Sequence, residues 1–153
     1  VQTCALPISI WIFYAWAGVK TELEGLETDY FAFADLDPVF DFYTPVIIAN
    51  NAFLAEEPET ARAFLDAVSR GYEFAIEHPR EAGEILCKAA PELDPDLVKA
   101  SQEYLADKYQ ADAPQWGYID QERWDAYYAW LNEKGLTETP IEAGTGCSNE
   151  YLP

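Results

Sequence analysis

The sequence predicts an α/β fold, with short buried strands in its first third and amphipathic helices through the remainder. Residues 10–14, 30–33 and 45–49 are apolar runs of strand length, without the alternation that marks a half-solvated strand. Between the first two runs, residues 16–24 have a helix-like pattern, and Gly25 follows at the position typical of a left-handed C-cap. Strand, helix and strand in this order, with buried strands, indicate a parallel sheet.

Length, composition and charge exclude several classes of protein. The chain has 153 residues, enough for one domain with a core, and half of them are hydrophobic, which argues against disorder. Its 28 acidic and 9 basic residues give a formal net charge of −19. Because nucleic acids and anionic membrane surfaces are bound through Lys and Arg, this charge argues against both as partners. No run approaches the roughly 20 apolar residues of a membrane span.

The first eight residues, VQTCALPI, match the conceptual translation of a short sequencing adapter, GTT CAG ACG TGT GCT CTT CCG ATC. A match over every codon predicts that residues 1–8 are an artefact and should be left out of fold reasoning. We therefore expect the natural chain to begin near Ser9, within a longer gene. On this expectation, the missing signal peptide carries no information about location.

Four amphipathic helices are predicted downstream of residue 51. The first spans residues 58–77, and Pro79 ends it and begins the second. Asp94 is the predicted N-cap of the third helix, and Asp120 caps the fourth, which stops at Gly135. The side chains predicted to face inward from the second and third helices include Ala82, Ile85, Leu86, Leu97 and Val98.

The predicted strands are too few for the predicted helices. Two or three strands give four amphipathic helices too little sheet to cover. We therefore expect the missing sheet to lie upstream of Ser9. The tail, residues 136–153, is predicted to be extended or looped.

No residue pattern indicates catalysis or metal binding. The one histidine, His78, precedes a proline at a helix boundary, which suits a structural role. Cys87 and Cys147 lie far apart without histidines at ligand spacing. The phosphate-binding and dinucleotide-binding glycine motifs are absent, as is C-x-x-C. We predict no metal, no cofactor and no catalytic residues.

The aromatic residues indicate a binding site. Trp11 and Phe13 are predicted to belong to the core of the first strand. Tyr14 and Trp16 fall at the exit of that strand, where an aromatic side chain can stack on a flat ring and a hydroxyl can orient it. Both are therefore predicted to bind a ligand.

Two further residues are predicted to line the same cleft. Asp37 and Tyr43 lie on the connection that leads to the run at residues 45–49. The complete set of predicted ligand-binding residues is Tyr14, Trp16, Asp37 and Tyr43.

Several stretches resemble the later half of ABC-transporter substrate-binding proteins for thiamine pyrimidine precursors. They read WIFYAWAGVKTELEG, YFAFADLD and DFYTPVIIANNAFLAEEPETARAFLDAVSRGYEFAIEHPREA. Trp116 with Gly117, the run RWDAYYAWLNEKGL and the closing GTGCSNEYLP resemble the same family. The resemblance covers residues 9–153 in order. A eukaryotic thiamine-pyrimidine synthase is similar in fold and sequence.

The resemblance implies a fragment of a type II periplasmic-binding fold, in which two lobes close on a cleft about a hinge. Residues 9–36 would end the second lobe, and residues 37–44 would be the return crossover. Residues 45–153 would be the C-terminal part of the first lobe, with four helices and the tail. Tyr14 and Trp16 match the family's FY-x-W segment at the cleft. Ala17 stands where many relatives have an acidic residue, which bears on the identity of the ligand.

The function implied by the resemblance is capture of a small heterocycle for an ABC importer. The ligand would be a pyrimidine precursor of the hydroxymethyl or formylamino type, delivered to a membrane permease and its ATPase. The protein would be an extracytoplasmic monomer with no enzymatic activity. A riboflavin- or sulfonate-type binding protein is the alternative. Alternatives of other classes are a pyrimidine synthase, which would need a lysine, histidines and iron ligands, and a helical interaction module without a small ligand.

Overall fold

The computed structural model describes residues 10–153, and the adapter-like segment 1–8 lies outside the described residues. The described residues form a π-helical turn, Tyr14–Gly18, a 3₁₀ turn, Pro38–Phe40, and seven α-helices. The helices are α1 (Val19–Leu23), α2 (Phe33–Leu36), α3 (Asn51–Glu56), α4 (Pro58–Glu77), α5 (Pro79–Ala89), α6 (Pro95–Leu105) and α7 (Gln121–Glu133). None of these helices is long and apolar enough to cross a membrane.

The described residues divide into two compact units. The first unit contains residues 10–29 and Phe74–Tyr109, and the second contains Tyr30–Glu73 and Gln110–Pro153. Helix α4 contributes its last turn to the first unit and its earlier turns to the second. These units are not the predicted lobes. The boundaries predicted between lobe and crossover, at residues 36–37 and 44–45, stay predictions.

The predicted helix starts after residue 51 are confirmed. Pro58 and Pro79 each occupy the first position of a helix, where the missing N–H is not needed. The carboxylate of Asp94 accepts the N–H of Asp96 at 2.9 Å, which caps α6. The carboxylate of Asp120 accepts an N–H in the first turn of α7 in the same way.

Both predicted glycine C-caps are confirmed. The N–H of Gly25, which has φ +66°, donates to the carbonyl of Glu22, and the N–H of Leu26 donates to the carbonyl of Thr21, each at 3.0 Å. This pair of hydrogen bonds is the Schellman motif. The same pair ends α7, where Gly135 has φ +65°.

The predicted strands are wrong for the residues that the structure describes, because none of them forms a sheet ladder. Residues 10–13, 30–32 and 45–49 have no regular secondary structure, whereas Tyr14 and Phe33 belong to helical turns. A β-strand needs hydrogen bonds from a neighbouring strand, and an apolar run predicts only the preference for one. The same segment corrects the predicted start of the helix at Trp16, since the π-helical turn already begins at Tyr14.

Without a sheet, the aromatic side chains of the first segment are not core. Trp11 is 65% exposed and Phe13 is 64% exposed, so their predicted burial is wrong. The core of the first unit consists instead of α6 side chains, chiefly Leu97 and the fully buried Val98, with Val19 of α1.

Helix α5 packs on α6 through a different face from the predicted one. A Cβ atom built on Gly83 would lie 3.4 Å from Cγ1 of Val98, so the absence of a side chain lets the two helices approach closely. Because this small face is buried, Ile85 and Leu86 point outward and are 51% and 39% exposed, against the prediction. Leu97 and Val98 are buried as predicted.

The second unit is held together by aromatic stacking and by the tail. Trp116, its most buried large side chain, stacks on Tyr72 with ring centroids 4.4 Å apart. The side chain of Asn149 bridges the backbone of Ile119, since its Oδ1 accepts the N–H at 2.9 Å and its Nδ2 donates to the carbonyl at 2.8 Å. The tail has no regular secondary structure, as predicted.

Candidate functional site

Tyr14 lies in the first unit and is fixed by three contacts. Its hydroxyl donates to the carboxylate of Glu22, and its ring lies 5.2 Å from the ring of Tyr104. The face of the ring covers Gly18, where an added Cβ would stand 2.5 Å from Cδ2. Because its hydrogen is committed to Glu22, Tyr14 offers a ligand the exposed part of its ring rather than a donated hydrogen bond.

Trp16 lies on the same π-helical turn as Tyr14. The carbonyl of Phe13 accepts the N–H groups of Trp16 and Ala17 at 3.1 and 3.0 Å, which closes the start of the turn. The N–H of Val19 donates to the carbonyl of Tyr14, five residues back, which is the wide hydrogen-bonded loop of a π-helix. The Trp16 side chain is 41% exposed. An exposed indole held on a short, hydrogen-bonded turn is available for stacking on a flat ring.

Asp37 has a local structural role in the second unit. Its Oδ1 accepts the N–H of Val39 at 3.0 Å and caps the Pro38–Phe40 turn. The residue is exposed, and its capping hydrogen bond uses one of its carboxylate oxygens. Contact of Asp37 with a ligand stays a prediction.

Tyr43 is held at the start of α7 by a set of contacts that we call the Tyr43 clamp, formed by Asp41, Tyr43, Asp120 and Arg123. The N–H of Asp120 donates to Oη of Tyr43 at 2.9 Å. The guanidinium of Arg123 lies over the Tyr43 ring, 4.3 Å from its centroid. It also donates from Nε to the Asp41 carbonyl at 2.5 Å and from Nη2 to Oδ1 of Asp41 at 2.6 Å.

The clamp borders a small pocket of about 30 Å³ in the second unit. Its walls are Phe42, Tyr43, Trp124, Tyr127 and Tyr128. Phe42 stacks on Tyr127 with centroids 4.3 Å apart and planes 19° apart. The Trp124 indole is oriented by a 2.9 Å hydrogen bond from Nε1 to a tail carbonyl. This volume is far below the roughly 300–1,000 Å³ of a complete small-molecule site, so the pocket forms at most one wall of such a site.

The structure places the four predicted residues in two pairs. Tyr14 and Trp16 lie together on one turn of the first unit, and Asp37 and Tyr43 lie on one segment of the second. Of the second pair, only Tyr43 lines the aromatic pocket. A single cleft containing all four residues stays a prediction.

Sequence analysis missed Arg123 as a residue of the site. One signal could have identified it, since a basic residue is uncommon in a chain with 9 basic and 28 acidic residues. Arg123 also stands directly before Trp124, with Tyr127 and Tyr128 one turn further along the same helix. These aromatic residues form part of the pocket wall.

The described residues do not provide a metal site. No group of three or more His, Cys, Asp or Glu side chains in residues 10–153 is arranged to hold an ion. Cys147 donates to Oε1 of Gln121 at 3.5 Å, and burial raises the pKa of its thiol, which is the opposite of what a reactive thiolate needs.

Comparison with known proteins gives the family. The sequence profile described as NMT1/THI5 like matches residues 7–82. The chain belongs to this family. NMT1/THI5-like proteins have a fold of the periplasmic-binding type, and the described residues of this chain are rich in helix.

Three relatives of this NMT1/THI5-like chain have named functions. It is 30% identical over 124 residues to the formylaminopyrimidine-binding protein of Halalkalibacterium halodurans, covering 78% of this chain and 37% of that protein. It is 25% identical over 145 residues to riboflavin-binding protein RibY of Chloroflexus aurantiacus, covering 88% and 39%. It is 38% identical over 116 residues to the 4-amino-5-hydroxymethyl-2-methylpyrimidine phosphate synthase of Candida albicans, covering 72% and 31%. The chain therefore spans about a third of the length of these curated relatives.

Proposed function

We propose that this chain is part of the substrate-binding component of an ABC importer that captures a small heterocycle, a thiamine pyrimidine precursor. Family membership and two relatives named as binding proteins support this proposal. One of those relatives is named for formylaminopyrimidine, which is the class of ligand proposed here.

The observation that carries the proposal is the aromatic pocket beside Tyr43. Its five aromatic walls suit a flat ring, and the Tyr43 hydroxyl, which accepts the N–H of Asp120, suits the polar edge of a heterocycle. Tyr14 and Trp16, which lie in the first unit, are also proposed to contact a ligand. In the proposed complete protein, two lobes close on the ring about a hinge.

The proposal includes the location and partners of the protein. A capture protein of this kind works outside the cytoplasm and delivers its ligand to a membrane permease driven by an ATPase. In the complete two-lobed fold, the apolar runs at residues 10–13, 30–32 and 45–49 would pair with strands of the remaining polypeptide. The exposed side chains of Ile47 and Ile48, which are 53% and 88% exposed, would be covered by that pairing.

A pyrimidine synthase is the second candidate, and it is favoured by one relative that carries this name at 38% identity. The two candidates differ in the chemistry they require. A synthase consumes its substrate and needs reactive groups beyond those that the described residues bring together, whereas a binding protein returns its ligand unchanged.

Isothermal calorimetry with the purified complete protein that contains this chain tests the proposal. The ligands are 4-amino-5-hydroxymethyl-2-methylpyrimidine, its formylamino counterpart and riboflavin. Saturable one-to-one binding, with the ligand recovered intact, is expected for one of the pyrimidines. Tighter binding of riboflavin would correct the ligand, and absence of binding to all three would reject the capture function. Recovery of a converted product would favour the synthase.

Trp16→Ala is the matched variant for the same assay. Losing a stacking contact of this size should lower the affinity by one to two orders of magnitude, about 1.5–3 kcal/mol. Phe64→Ala is the control, since Phe64 is exposed and lies neither in the aromatic pocket nor on the turn of Trp16. Equal affinities for the Trp16 variant and the wild type would remove Trp16 from the site.

A further inference from the structure

The Tyr43 hydroxyl accepts one hydrogen bond and keeps its own hydrogen for another partner. An N–H group can only donate, so the 2.9 Å contact with Asp120 makes the Tyr43 oxygen an acceptor. The phenolic hydrogen must therefore point elsewhere. Among the hydrogen bonds of residues 10–153, none uses this hydrogen, whereas the hydrogen of Tyr14 is donated to Glu22. Tyr43 thus presents a donor at the edge of the aromatic pocket.

Arg123 holds the Tyr43 ring in this orientation. Its guanidinium covers one face of the ring, and two donated hydrogen bonds to Asp41 keep it there. A guanidinium can make this two-point contact because its donors form a rigid fork, and a lysine ammonium cannot. The backbone N–H of Arg123 is in turn bound by the Asp120 side chain at 2.8 Å, so both ends of the clamp are tied to the first turn of α7.

We propose that Tyr43 is the specificity-determining hydrogen-bond donor of the pocket and that Arg123 is its positioning residue. The ligand group that Tyr43 recognises is an acceptor on the edge of a flat ring, namely a ring nitrogen or a ring carbonyl. A ring that carries only C–H groups at that edge leaves the hydroxyl hydrogen without a partner once water is displaced, which lowers its affinity. This inference rests on the proposed function.

Two probes of the same shape separate hydrogen bonding from stacking. One is 4-amino-2-methylpyrimidine, and the other is 3-methylaniline, in which both ring nitrogens are replaced by C–H. The preference of the protein for the pyrimidine over the aniline, measured by calorimetry, reports the acceptor contact. The wild-type chain should prefer the pyrimidine by about tenfold, the size expected for one hydrogen bond between neutral groups.

The variants test the two roles separately. Tyr43→Phe should bring the preference close to one, because it removes the hydrogen bond to the pyrimidine and also the unpaired hydroxyl that opposes 3-methylaniline. Arg123→Ala and Arg123→Lys should each lower the preference for the pyrimidine several-fold. The double variant Arg123→Ala/Tyr43→Phe should have the same preference as Tyr43→Phe alone. Circular dichroism checks that each variant folds. If Arg123→Ala is unfolded, Asp41→Asn, which weakens the same fork, replaces it.

Each outcome supports or overturns the inference. If Tyr43→Phe keeps the preference while both probes still bind, the inference is overturned and the proposed function stands. If Arg123→Ala weakens both probes equally, Arg123 is only structural and its positioning role is overturned. If the wild-type protein binds neither these probes nor the three ligands above, the proposed function fails and the inference fails with it.

Discussion

Gly18→Ala tests how the first unit fixes Tyr14. Gly18 has α-helical dihedral angles, φ −64° and ψ −50°, so the backbone itself accepts alanine. The new Cβ would stand 2.5 Å from Cδ2 and 2.7 Å from Cγ of Tyr14, whereas carbon atoms pack at about 3.5–4.0 Å. Those atoms belong to the base of the ring and cannot swing away without moving the whole side chain. We expect the Tyr14 ring to be displaced.

The cost of this displacement can be estimated from its parts. Replacing a helical glycine by alanine stabilises a helix by about 1 kcal/mol. Inserting a methyl group where there is no room costs roughly 1–3 kcal/mol, and losing the hydrogen bond from Tyr14 to Glu22 costs about 1 kcal/mol more. The net destabilisation of α1 and of its contact with Tyr104 is therefore about 1–3 kcal/mol.

Native-state amide hydrogen exchange measures this effect locally. Gly18→Ala should lower the protection of the α1 and α6 amides by roughly 10- to 100-fold, which corresponds to the same free energy. Gly71→Ala is the matched control, because Gly71 is also helical but has nothing within 4 Å of its added Cβ. It should raise protection in α4. If Gly18→Ala raised protection in α1 and α6 as well, the contact between Tyr14 and Gly18 would not be restrictive and the reasoning would be refuted.

Two further predictions concern the second unit. Asn149→Ala should lower the stability by about 1–3 kcal/mol, because it removes two hydrogen bonds to Ile119 that contribute about 0.5–1.5 kcal/mol each. Urea unfolding measures this, and Asn51→Ala, at an exposed position, should stay within about 0.5 kcal/mol of the wild type. Burial raises the pKa of the Cys147 thiol, so less of the reactive thiolate is present at a given pH in the folded protein than in urea. The rate of Cys147 alkylation by iodoacetamide should therefore reach half its maximum at a higher pH in the folded protein. Mass spectrometry identifies the alkylated residue. A midpoint that is equal or lower in the folded protein would contradict burial of this thiol.

The helices were predictable because their signals are local. Pro58 and Asp94 each act within one turn of their own position, and the Gly25 C-cap involves residues no more than five apart. Such a local signal favours the same helix end regardless of how the rest of the chain folds. The inward face of α5 was not predictable in this way, because it depends on packing against α6. Gly83 faces α6 closely, and Ile85 faces outward.

The candidate site was predictable only in its residue types. An excess of aromatic side chains predicted ring binding, and this stays a prediction. The structure places Tyr43, one of the four predicted residues, in the wall of the aromatic pocket. The contact between Arg123 and Asp41 joins residues 82 positions apart, and no local pattern predicts it. Pairing at this separation depends on how the segment at residues 41–43 packs against the start of α7.

The three apolar runs separate two parts of a strand prediction, the extended backbone of the run and its pairing with another strand. Phe13, Ala32 and Asn50 each have β-region dihedral angles, with ψ of 113°, 137° and 132°, immediately before a helical turn. The backbone therefore changes from extended to helical at each of these positions, although no ladder forms among the described residues. The sequence predicted this change only after the first run, and it did not predict α2 or α3. Local sequence sets the dihedral angles, whereas a sheet needs a partner strand whose hydrogen bonds offset the entropy of ordering. An apolar run of this kind predicts an extended segment, and only its neighbours decide whether that segment becomes a strand.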